Sequence, residues 1–137
     1  MKVEVAHRCA APPQQVWAWV ADPHKHIQML PHSIRSARVL DDGDIEAELH
    51  AAGHRERMVV RVVATDPPRR LEEERVDGVR AGRTVFTLEP DGDGCRVTIH
   101  SEVDLPRVIA AVAKPKVVTS LREQLENLDR LSSNAQM

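Results

Sequence analysis

Apolar and polar side chains alternate over the first nine residues. Val3, Val5, His7 and Cys9 share one parity, and Lys2, Glu4, Ala6 and Arg8 share the other. A period of two predicts a half-buried strand. The alternation breaks at Ala11-Pro12-Pro13, and proline is tolerated in the first turn of a helix, where its missing N–H has no partner to lose. QQVWAWVAD follows with Val16 and Val20 one turn apart, so a short helix is expected to stop at Asp22-Pro23. A second short helix is expected over residues 24–30, ended by Pro31.

From residue 33 to residue 105 the period returns to two. SARVL runs into the turn Asp41-Asp42-Gly43-Asp44. IEAELHA then sets Ile45, Ala47 and Leu49 inward against Glu46, Glu48 and His50. After a turn at Gly53, ERMVVRVVAT places Met58, Val60, Val62 and Ala64 on one face and Arg57 and Arg61 on the other. Asp66-Pro67-Pro68 breaks that strand, and LEEERV, GRTVFTLEP and CRVTIHSEVDL complete the series. Their connections, Asp77-Gly78 and Asp91-Gly92-Asp93-Gly94, are tight polar turns, so the six segments predict an antiparallel meander.

Beyond Pro106 the spacing lengthens again. Val108, Val112, Val118, Leu121, Leu125 and Leu128 predict one amphipathic helix about 20 residues long or more. Pro115 lies inside it, so a kink or break is expected near residues 111–115. No repeat, linker or low-complexity run divides the chain, and residues 1–137 are expected to form one domain.

This order, one strand, two short helices, six strands and a long helix, resembles the helix-grip fold of the SRPBCC superfamily. That superfamily includes the START-domain, birch-pollen-allergen-like and polyketide cyclase/dehydrase proteins, and the polyketide cyclase/dehydrase branch is the most similar. Three stretches carry the resemblance: AAPPQQVWAWVADPHKH at the first helix, TDPPRRL at a mid-sheet turn, and SLREQLENLDRL in the last helix. The resemblance implies an α+β helix-grip fold. A seven-stranded antiparallel sheet would wrap a long C-terminal helix, with two short helices after strand 1. It also implies a cavity between sheet and helix. None of the three stretches is catalytic, so fold is better specified than activity.

A single helix cannot fill the whole space beneath a seven-stranded apolar face. Ala37, Ala47, Ala64, Gly82 and Ser101 are small enough to leave room there. The expected lining is His7, Trp19, Leu49, Met58 and Val60 together with Phe86, Ile99, Ser101, Val118 and Leu121. The alternative is that the larger of these side chains simply fill the space.

Composition narrows the partners. The chain is 42% hydrophobic and 29% charged, with 19 basic against 21 acidic residues, a soluble globular balance with no global attraction to phosphate. Trp17, Trp19 and Phe86 are its only aromatic side chains, too few to stack nucleic-acid bases, and with no tyrosine there is no tyrosine acid. No nucleic acid partner and no membrane insertion are expected. The longest uncharged apolar stretch, near residues 108–113, is far short of a bilayer span, and no signal-peptide core opens the chain. A cytoplasmic location follows as the expectation, with Cys9 and Cys95 as small buried hydrophobes. Edge strands permit pairing, so either a monomer or a homodimer is compatible with the pattern.

The seven histidines raise the question of metal. His24 and His26 are two apart on a helix and therefore diverge, while His50 and His54 flank a turn. Neither pair has a third ligand at zinc-like spacing, so all four are expected to be exposed loop histidines. No metal and no cofactor are expected. There is no G-x-S-x-G, phosphate loop or H-E-x-x-H.

LEEERV is the segment with the most chemistry. Alternation puts Leu71, Glu73 and Arg75 on one face and Glu72, Glu74 and Val76 on the other, so either orientation carries a carboxylate into or beside the cavity. A buried carboxylate must be paired or have a raised pKa, which is how a general acid/base at neutral pH is made. Glu73 and Arg75 are the candidate catalytic residues. The alternatives are solvated charges at a cavity mouth or a structural Glu73–Arg75 pair. His7 and Ser101 share the inward parity and would supply a hydrogen-bonding end to the cavity. Arg55, Arg57 and Arg61 are expected to pair across strands with Glu46 and Glu48 on a solvated face.

Two functional readings follow. The first is binding of a hydrophobic small-molecule ligand, including an amphipathic one, between sheet and helix. The second is a polyketide aromatase/cyclase or dehydratase, which the resemblance implies, with an acid/base residue in the cavity. The shortage of aromatics favours a flexible aliphatic ligand over a flat polycyclic one. A surface-mediated interaction module ranks last, because no strongly basic or apolar surface run supports it.

Overall fold

A computed structural model describes residues 1–51 and 54–134. The elements run β1 (Lys2–Cys9), α1 (Pro13–Ala21), α2 (Pro23–His26), β2 (Ile34–Val39), β3 (Ile45–Ala51), β4 (His54–Asp66), β5 (Arg70–Gly78), β6 (Gly82–Asp91), β7 (Gly94–Val103) and α3 (Arg107–Asn134). The strands form one seven-stranded sheet in the order β1-β7-β6-β5-β4-β3-β2, with every neighbour antiparallel. This is the α+β helix-grip arrangement. The turn expected at Gly53 and the side chain of His54 lie outside the described residues.

Local chemistry accounts for the helix starts. The Pro12 carbonyl accepts from the backbone N–H groups of Gln15 and Val16, with Pro13 in the first helical position. The Asp22 side chain caps α2 by accepting from the His24 N–H at 2.9 Å. The helix expected over 24–30 is shorter, because α2 ends at His26 and Ile27–Met29 tighten into a 3-10 turn. A 3-10 turn is a common way for a helix to end.

The core sits beneath β1, β7, β6 and the start of β5. Val5, Ile99, Phe86 and Leu71 form one cross-strand row, closed from the other side by Val16, Val20, Met29, Leu125 and Leu128. Cys9 and Cys95 are register partners at the end of the β1–β7 ladder, both fully buried and free. The strands approach closely at this point: a Cβ added at Gly94 would collide with the Cys9 carbonyl oxygen.

β4 departs from simple alternation. Register shifts between Val59 and Val60 and between Val62 and Ala64 re-aim its distal half. Val62 and Ala64, expected inward, are exposed, whereas Val59, on the outer face with Glu46 and Asp77, is buried. Arg57 shares that outward parity and donates to both Glu46 and Asp77, the two register partners of Val59. Arg61 pairs with Asp44 rather than with Glu46 or Glu48.

α3 is one helix through Pro115, without the expected break. Its C-terminal half is tied down. Asp129 accepts from His7 Nε2 at 2.9 Å and from the Ala10 N–H at 3.0 Å, and Glu123 accepts from the His32 N–H at 2.9 Å. Asn127 Nδ2 donates to the Met29 carbonyl. The apolar stripe is correspondingly split. Leu125 and Leu128 are buried, but Val108 is 80% exposed and Val112 68%. At about 100° per residue, the six-residue step from Val112 to Val118 rotates the helix by about 240° beyond a full turn, so the two cannot share a face. None of the helices among the described residues is long and apolar enough to cross a membrane.

Candidate functional site

The middle of α3, over residues 116–124, covers the sheet without filling the space beneath it, leaving a cavity of about 220 Å³. One wall is apolar: Ile45, Leu49, Met58 and Val60 from β3 and β4, with Leu30 and Ile34 from the chain after α2. Val117, Ser120, Leu121 and Gln124 form the roof on α3, and Ser33 Oγ lies 3.2 Å from Ser120 Oγ where the two sides meet. Ala47 lies on the floor, whereas Ala37 and Ala64 lie away from the cavity.

The other wall is polar and is set by sheet register. One row inward of the Leu71–Phe86–Ile99 core, Glu73, Thr84 and Ser101 stand side by side on β5, β6 and β7, and all three line the cavity. Glu73 has no hydrogen bond or ion pair among the described residues. No fully enclosed side-chain oxygen there lacks a partner, so the free Glu73 carboxyl keeps its contact with the cavity space. Burial pushes this carboxyl above its ordinary range, and His26 offsets only part of the shift.

His26 is buried and lines the cavity, contrary to the exposed loop position expected for it. Its Nδ1–H donates to the Val20 carbonyl at 2.8 Å, and its ring meets Phe86 edge-on at 5.5 Å. Among the described residues Nε2 makes no hydrogen bond, and the ring acts on Glu73 electrostatically. The available sequence signal was its place between Val20 and Met29, both buried, since spacing from His24 separated the two histidines without saying which one faced in. His50, also expected in a loop, lies within β3, where its Nε2 meets Glu48 Oε1 at 2.8 Å.

Arg75, next along the inner face, does not pair with Glu73. Its Nη1 donates to Glu56 Oε1 at 3.1 Å, and Arg80 Nε lies 3.6 Å from Glu56 Oε2. The Arg75 stem lies across Gly82, where an added Cβ would sit 3.0 Å from Cδ and Nε. Glu56, a buried carboxylate on β4, was not singled out by the sequence, because its role depends on a partner 19 residues away.

Of the expected site residues, Glu73, Arg75, Leu49, Met58, Val60, Phe86, Ser101 and Leu121 line this cavity. His7, Trp19, Ile99 and Val118 lie elsewhere. His7 is held by Asp129, Ile99 is in the closed core, Val118 packs against that core, and Trp19 carries Lys25 Nζ over its ring at 5.4 Å. Among the described residues no three His, Cys, Asp or Glu side chains come together as a metal site.

Comparison with known proteins agrees with the fold. A protein from Thermus thermophilus superimposes with a TM-score of 0.84 at 17% identity, covering 100% of both chains. A conserved protein from Geobacillus kaustophilus gives 0.78 at 14% identity, over 98% of this chain and 97% of its own. A Thalictrum norcoclaurine synthase point mutant, in complex with a transition-state analogue, gives 0.79 at 14% identity, over 100% of this chain and 96% of that one. At such identities the likeness establishes the fold alone. No curated protein matches the sequence significantly. The family described as polyketide cyclase / dehydrase and lipid transport matches residues 1–132, and with that match over almost its whole length the chain belongs to this family.

Proposed function

We propose that the protein binds a hydrophobic or amphipathic small molecule in the cavity between sheet and α3. The observation that carries this reading is a largely apolar space of about 220 Å³ with one unpartnered carboxyl, Glu73, at its polar wall. Release of water from an apolar wall favours a ligand in that space. Family membership, and the complex of the structurally similar norcoclaurine synthase mutant with a transition-state analogue, support the same reading. The test is displacement of a hydrophobic fluorescent probe by aliphatic ligands, with native mass spectrometry of the purified protein. Concentration-dependent displacement is the expected result, and no displacement by any aliphatic compound, with no co-purified mass, overturns the reading.

A second reading, a polyketide cyclase or dehydratase, is favoured by the same carboxyl, since a half-buried acid within reach of a bound ligand is suited to moving protons. In that reading Glu73 is the acid/base group and Arg75 orients the ligand. Turnover of a poly-β-ketone substrate that falls at least about a hundredfold in Glu73→Gln supports it. Equal turnover by the variant removes Glu73 from the chemistry.

A further inference from the structure

Around the polar wall the charges do not balance. Arg75 and Arg80 share one carboxylate, Glu56, which is buried with only 8% of its surface exposed. Arg75 is itself mostly covered, and it spends one N–H on Glu56, which leaves the rest of its fork without a hydrogen-bond partner among the described residues. Two independent constraints hold that fork: the Glu56 bond at its tip and the Gly82 backbone beneath its stem. The other titratable groups facing the space are His26 from α2, Glu73 from β5 and Lys116 from α3. Glu74 and Arg83 also border it, but both belong to the outward parity of β5 and β6, where Arg83 pairs with Glu72. Among the described residues Glu73 is the inward carboxylate facing the cavity that is not committed to an arginine, and desolvation favours its protonated form, which is a donor.

We propose that the ligand of this cavity carries a carboxylate head on an aliphatic tail, with the head seated on the free side of the Arg75 guanidinium and beside the Glu73 carboxyl. This rests on the ligand-binding reading above and names the class of ligand. A planar guanidinium presents paired N–H groups that match a carboxylate better than they match a hydroxyl, and a cation in the same place would face Arg75 and Lys116 unpaired. A protonated Glu73 donates one further hydrogen bond to the head, and the tail runs along the apolar wall of β3 and β4.

The experiment is calorimetric titration of the full chain with four probes of one tail length: octanoate, 1-octanol, octylammonium and octyl phosphate. Octanoate is expected to bind at least about tenfold more tightly than octanol, the size of one charge-assisted hydrogen bond, with octylammonium weakest. In Arg75→Met the preference for octanoate collapses while octanol still binds, which also shows that the variant is folded. Arg75→Lys, which keeps the charge and loses the fork, retains a smaller preference. Octanol binding as tightly as octanoate, or a preference unchanged in Arg75→Met, overturns the carboxylate head and leaves the cavity reading standing. Octyl phosphate binding more tightly than octanoate overturns the carboxylate assignment in favour of a phosphate head. Binding of none of the four overturns both readings together.

Discussion

Glu73 offers the sharpest test of how the cavity wall is built. Replacing it with methionine keeps the side-chain length and removes a carboxyl that has neither a hydrogen bond nor an ion pair. An unsatisfied buried polar group costs about 1–3 kcal/mol, and contact with the cavity space places Glu73 toward the lower end. Glu73→Met is therefore expected to stabilise the fold by about 1–2 kcal/mol at pH 8, or about 3–6 °C in Tm for a chain of this size. The sign of the pH dependence follows from the raised folded pKa. The unfolded carboxyl titrates near about 4.3, so above that pH the native state resists an ionisation that the unfolded chain accepts. Wild-type stability is lost as pH rises from there, and the advantage of the variant grows with it. Urea unfolding followed by the fluorescence of Trp17 and Trp19 at pH 4, 6 and 8 measures both effects. A variant less stable than wild type at pH 8, or a gain equal at pH 4 and pH 8, would refute the view of Glu73 as an unpaired, half-buried acid.

Other predictions concern the frame around the cavity. Burial works against ionised Asp129, but its bonds from His7, the Ala10 N–H and Ser133 outweigh it and hold the carboxyl below its ordinary value. Asp129→Ala should cost about 1–3 kcal/mol at pH 7. That contribution is present above about pH 3.9 and fades as pH falls through the depressed folded value, so the two urea curves should converge in acid; a constant gap would rule the ionised form out as the cause. Gly94→Ala forces a methyl into the Cys9 carbonyl and should destabilise by about 1–3 kcal/mol in chemical denaturation, and an unchanged midpoint would show that β1 and β7 yield there. Burial, chiefly, pushes the thiol of Cys9 up to about 12 and that of Cys95 up to about 11. Both should resist an aromatic disulfide thiol reagent at pH 8 in the folded protein and react in urea; rapid labelling without denaturant would contradict their burial.

Much of the architecture was legible because its signals are local. Period-two alternation marks strands whatever they pack against, and Asp22-Pro23 and Pro12-Pro13 start helices through their own backbone chemistry. Alternation also placed Leu71, Glu73 and Arg75 on one face of β5. It left open whether the two charges there pair with each other, because that depends on β4, which brings Glu56 to Arg75 from 19 residues away. The phase of α3 was legible only where its contacts are regular. A short list of valines read as one stripe turned out to occupy two faces, since packing selects a helix face only where there is something to pack against.

By itself, then, the sequence determined the number and order of the elements, the parity of the strands apart from the distal half of β4, and the near absence of rings to fill the interior. Those are properties of neighbouring residues and of composition. The tertiary structure decided that a space survives beneath α3, that His26 faces into it while His7 is tied to Asp129, and that Glu73 is left unpaired beside a doubly contacted Glu56. Each of these is a competition between partners far apart in the chain, settled by where the closed sheet and the tethered end of the helix bring them.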